Sequence, residues 1–126
     1  MRYMRKHWLV LILWLLFLFS VLLSPVAWWR AIPGPWGVNN SDKLSHIGLF
    51  AVTGFVIVFG TSFLLRLRNR MLLALMAGVV LAGGTEIAQH FIPRRTMDIY
   101  DFLTDLAGLG VGLLVYYLLY RRRIVH

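Results

Sequence analysis

Residues 86–105 read EIAQHFIPRRTMDIYDFLTD. The stretch opens inside an apolar helical run, turns at Ile92-Pro93-Arg94-Arg95 and enters a second apolar run. Four of the chain's five acidic residues lie in it, namely Glu86, Asp98, Asp101 and Asp105. Glu86, Gln89 and His90 stand at i, i+3 and i+4, so a helix carries them on one face. Asp98, Asp101 and Asp105 stand at i, i+3 and i+7 and share a face if the next helix starts near Asp98. The turn between is short, which sets the two faces against each other. The spacing predicts a helical hairpin with a polar pocket near one end.

Working outward, the chain is 60% hydrophobic over 126 residues, with mean hydropathy +0.74. That is too apolar for a water-soluble domain of this size, and the length allows one domain, 1–126. Apolar runs at 8–24, 44–65, 71–91 and 102–120 each have about the length that a bilayer core requires. The fold class expected is all-α: a polytopic membrane protein, a bundle of four transmembrane helices. The first run follows Arg2, Arg5 and Lys6, as in a signal peptide. It is long for that role, and Ser24-Pro25-Val26-Ala27 offers no small-x-small cleavage site, so a retained helix is expected. Cysteine is absent, which excludes a disulfide framework, a thiolate metal site and a cysteine nucleophile.

Trp28, Trp29 and Trp36 are expected at headgroup level. Ser41 or Asp42 is expected to cap the second helix. Ala74, Ala77, Gly78, Ala82, Gly83 and Gly84, and the pair Gly108 and Gly112, let helices approach closely in lipid. Gly108-x-x-x-Gly112 also suggests a homo-oligomer contact.

The net charge is +8. Nucleic acid is not the reading, because the cations cluster at the ends of apolar runs. Nine of the thirteen basic residues lie at the N-terminus, in the 66–70 turn and at the C-terminus. Arg30, Lys43, Arg94 and Arg95 lie in the other two connections. The positive-inside rule then puts both termini in the cytoplasm. All five acids fall in the outer half, with His46, His90, Arg94 and Arg95.

The binding residues expected are Asp42, Lys43, His46, Glu86, Gln89, His90, Arg94, Arg95, Asp98, Asp101 and Asp105. Glu86 should lie roughly 7–8 Å inside the helix end, at 1.5 Å per residue, and Asp105 about as deep. Ionised groups at such depth are costly and default to a functional reading. The first reading is recognition of an anionic amphiphile, such as a lipid-linked envelope precursor or a lipopeptide. Lys43, Arg94 and Arg95 would hold phosphate or carboxylate there. The second is a membrane enzyme with His46 or His90 as general base. A metal version of it would use His46, Glu86, His90 and an aspartate. The third is a transport or proton-relay role, which would need oligomerisation, and the structural alternative is a polar network that only locks the bundle. No catalytic residue, metal or cofactor is assigned from sequence, and membrane lipids are the expected partners.

One pattern runs through Asp42-Lys43-x-x-His46, Glu86-x-x-Gln89, Pro93-x-Arg95, Asp98, and Asp101-x-x-x-Asp105-x-x-Gly108-x-x-x-Gly112. In order, spacing and membrane position it resembles the VanZ-like family of small membrane proteins. Where the family commonly has asparagine, this chain has Asp105. The resemblance implies a four-helix protein of the bacterial cytoplasmic membrane. It also implies a link, in some members, to glycopeptide or lipopeptide resistance at the cell envelope.

Overall fold

The computed structural model describes the backbone of residues 2–23, 37–92 and 98–125, and the side chains of 4–23, 43–92 and 98–125. Among these residues the regular structure is all helix: α1 (Arg2–Leu22), α2 (Gly37–Gly60), α3 (Leu67–His90) and α4 (Ile99–Val125). Each helix is long and apolar enough to cross a membrane. The tryptophans at 28, 29 and 36 lie outside the described residues.

The helices overrun their apolar stretches at most ends. α1 starts at Arg2, α3 at Leu67, and α4 continues through Arg121-Arg122-Arg123 to Val125. Arginine and lysine are good helix formers, so a polar end does not stop a helix that already has a nucleus. α2 begins at Gly37, ahead of the expected caps Ser41 and Asp42. It ends at Gly60, short of the predicted 65. There Thr61 N–H donates to the Ile57 carbonyl at 3.1 Å, and Thr61 Oγ1 donates to the same oxygen at 2.8 Å.

α2 and α4 form the most extensive pair. The reason is glycine. A Cβ at Gly108 would run into the Ile47 backbone, and one at Gly112 into the Ala51 carbonyl. The pair expected to serve self-association is thus buried between two helices of one chain. Between these glycines, Leu109 is fully buried. It fits against Gly54 of α2, where a Cβ would lie 3.0 Å from Leu109 Cδ1. It also fits against Gly78 of α3, where a Cβ would overlap the leucine side chain. One leucine therefore joins three helices through two gaps where side chains are missing. In lipid such packing, rather than hydrophobic burial, holds helices together.

α1 lies against α2 and, more sparingly, α3. Leu18 and Leu22 pack with Phe50 and Ala82. Trp14 Nε1–H donates to Thr53 Oγ1 at 2.9 Å, and Thr53 Oγ1 donates on to the Leu49 carbonyl at 2.7 Å. The opposite face of α1, with Leu9, Leu13 and Leu16, is exposed, as a lipid-facing surface should be.

Candidate functional site

Three helices bring ionisable groups together at the acidic end of the bundle. α2 contributes His46, α3 contributes Glu86, and α4 contributes Asp101 and Asp105. His46 Nδ1 lies 2.7 Å from Asp105 Oδ1, with both side chains essentially fully buried. This bond fixes the imidazole ring and turns Nε2 toward Asp101 Oδ2, 4.0 Å away. The approach is close because Gly108, one turn beyond Asp105, lets α4 sit on the backbone of α2 at Ile47. The packing glycines and the site are one construction.

Glu86 is also buried. Its Oε2 accepts the Asp98 backbone N–H at 3.3 Å. Asp98 Oδ1 in turn accepts the Tyr100 N–H at 2.9 Å, and its carbonyl accepts Asp101 N–H at 3.1 Å. Asp98 is thus the N-cap of α4, and Glu86 satisfies the peptide group that precedes the helix. The positive end of the α4 dipole faces these carboxylates. Among the described residues, the other Glu86 oxygen, Oε1, is buried without a hydrogen-bond partner.

His46, Glu86 and Asp105 can each present a donor atom within 4.8 Å of the others. One nitrogen and two oxygens from buried side chains suit a divalent ion such as zinc or manganese. The same set also suits an ammonium group.

The other expected residues divide. Gln89 is buried, but its Nε2 donates to the Leu22 carbonyl at 2.9 Å, at the end of α1. It closes a helix terminus and does not face the centre. Replacing Gln89 with leucine should cost about 1–3 kcal/mol, the penalty for a carbonyl left unsatisfied. Faster proteolysis after α1 in the folded protein would report it, and cleavage at the wild-type rate would contradict it. His90 is exposed and its ring meets Phe91 at 5.6 Å. At about 100° per residue it lies to one side of Glu86 and Gln89 to the other, so burying the second leaves His90 outside. Lys43 is exposed, with Nζ 5.4 Å from the Tyr100 ring centroid. Arg94, Arg95 and the Asp42 side chain lie outside the described residues.

Sequence reasoning treated Arg70 as an orientation signal alone. It is buried, and Nη1–H donates to Tyr116 Oη at 3.0 Å. The available signal was Tyr116 and Tyr120, one turn apart on the facing helix.

The VanZ/LLP1 family model matches residues 7–120. The chain belongs to the VanZ/LLP1 family. Every residue of the histidine–carboxylate centre falls inside that match. An uncharacterized protein of the fission yeast Schizosaccharomyces pombe is 34% identical over 110 residues. The alignment takes in 85% of this VanZ/LLP1 chain and 65% of the yeast protein, so this chain spans about two-thirds of that relative's length. No solved structure matches the chain.

Proposed function

We propose that this VanZ/LLP1 membrane protein recognises the headgroup of an amphiphile at the centre formed by His46, Glu86, Asp101 and Asp105. The observation that carries the reading is the meeting of buried ionisable groups from three helices. Locking a bundle does not require them. Interhelical hydrogen bonds in membranes contribute only about 0.6–2 kcal/mol each, and neutral pairs such as Trp14–Thr53 supply that without charge.

The chemistry favours a headgroup that joins an anion to a cationic or metal-bridged group. Glu86 and the aspartates would accept an ammonium, while Lys43 at the surface would answer a phosphate or carboxylate. Arg94 and Arg95, adjacent in sequence, would add bidentate contacts to the same anion. The charge distribution supports this end facing away from the cytoplasm, with both termini in it. A relative in a fission yeast favours an amphiphile class shared by many membranes, a phospholipid or polyprenyl-linked molecule, over one confined to a bacterial wall. Resistance to a glycopeptide or lipopeptide would then arise where the antibiotic or its target presents that headgroup.

Glu86→Gln tests the reading, because the amide oxygen still accepts the Asp98 N–H. Native mass spectrometry of the purified protein should show a lipid species retained by the wild type. About tenfold less of it should stay on the variant, the loss of one charge-assisted contact. Equal retention by two folded proteins would remove the centre from recognition.

A second reading, a metal-assisted hydrolase or transferase on a lipid-linked substrate, has its own support. Three donor atoms within 4.8 Å and the unpartnered Glu86 Oε1 are what an ion would use. An ion held there would polarise a substrate oxygen. Stoichiometric zinc or manganese in the wild type, lost in Glu86→Gln, would favour this reading over the first.

A further inference from the structure

The opposite end of the bundle holds a cavity of about 520 Å³ lined by His7, Phe55, Phe59, Arg70, Tyr116 and Arg123, among others. Its chemistry is the reverse of the acidic centre. Arg70 is only 5% exposed. Its guanidinium carbon lies 5.9 Å from the Tyr116 ring centroid and 5.6 Å from that of Tyr120. The two rings stack on each other at 6.4 Å. Tyr116 Oη takes one N–H of Arg70. Among the described residues Nε is buried with no hydrogen-bond partner, and no carboxylate pairs with Arg70.

A guanidinium keeps its charge in proteins. One phenol and two aromatic faces do not neutralise it, and a buried charge without a counter-ion is costly. All five acids sit toward the other end of the sequence pattern, at positions 42, 86, 98, 101 and 105. Among the described residues no acid reaches Arg70, so an anion from outside the chain would supply the partner. Arg123 at the rim supplies a second cation, and Phe55 and Phe59 make the wall apolar. A phosphate oxyanion beside an alkyl chain matches this lining, because arginine forks fit phosphate bidentately.

We infer that this cavity is a second binding site, independent of the acidic centre, for the phosphate oxyanion of an anionic phospholipid. The phosphate sits between Arg70 and Arg123, and one acyl chain follows Phe55 and Phe59. The basic residues Arg66 and Arg68 at this end would concentrate such lipids around the cavity mouth.

The test uses the full chain in detergent, presented with equal phosphatidylglycerol and phosphatidylcholine and read by native mass spectrometry. Wild type should retain phosphatidylglycerol in preference, and Arg70→Gln should lower that preference about tenfold. Arg123→Gln, an exposed position that folding does not need, should lower it about threefold. Arg122→Gln, beside it but off the cavity lining, should leave it unchanged. Stabilisation by inorganic phosphate that Arg70→Gln abolishes, without lipid preference, would keep the oxyanion site and assign it to free phosphate. The site is refuted if wild type shows neither effect, or if Arg123→Gln and a folded Arg70→Gln both bind as wild type does.

Discussion

Gly112→Ala is expected to destabilise the bundle, and Gly112→Leu to prevent its assembly. In a helix, alanine in place of glycine normally gains about 1 kcal/mol. At Gly112 the added Cβ points into the Ala51 carbonyl of α2. That atom belongs to a helix backbone and cannot rotate away, so one helix must move. Overpacking of this kind costs about 1–3 kcal/mol for a small addition and more for a large one. The net loss for alanine should be up to about 2 kcal/mol, and for leucine more than about 3 kcal/mol. Gly110→Ala is the internal comparison, since nothing lies within 4 Å of its Cβ position. It should be neutral or stabilising by up to about 1 kcal/mol. Resistance to unfolding by sodium dodecyl sulfate in mixed micelles reads all three. If Gly112→Ala and Gly110→Ala behave alike, the α2–α4 contact described here is wrong.

His46→Ala should cost about 3–5 kcal/mol, because it removes the 2.7 Å contact from the fully buried Asp105. Asp105→Asn should cost far less, about 1 kcal/mol. The asparagine carbonyl still accepts the His46 Nδ1–H, so the link between α2 and α4 survives the loss of charge. Urea or detergent unfolding of the two variants separates the hydrogen bond from the charge. Equal large losses would mean that charge, not the bond, holds the pair. A His46→Ala protein as stable as wild type would mean that the 2.7 Å contact does not exist.

Much of the fold was legible because lipid imposes a coarse rule. Long apolar runs bounded by cations have few alternatives, and the four helices lie where those runs do. Their ends were harder, since arginine and lysine mark the membrane surface without stopping a helix. The glycines at 108 and 112 correctly signalled close approach. They did not say which helix approaches, because a small face carries no address. In the candidate site, spacing brought Glu86, Asp101 and Asp105 into view, and the start of α2 brought His46. It grouped His90 and Gln89 with them because i+3 and i+4 are neighbours of i without being neighbours of each other. Arg70 was invisible among three alternating arginines. Its burial depends on Tyr116, 46 positions away in the chain.

The bond from Gln89 to the Leu22 carbonyl is a latch. α2, α3 and α4 are pinned together by Leu109, whereas α1 reaches α3 only sparingly. Among the described helices α1 and α3 make the least extensive join, and this amide adds to its packing on the same helix turn that carries Glu86. On the proposed reading, an amphiphile diffusing in the plane of the bilayer would find its shortest way to the acidic centre along this seam, without leaving the membrane.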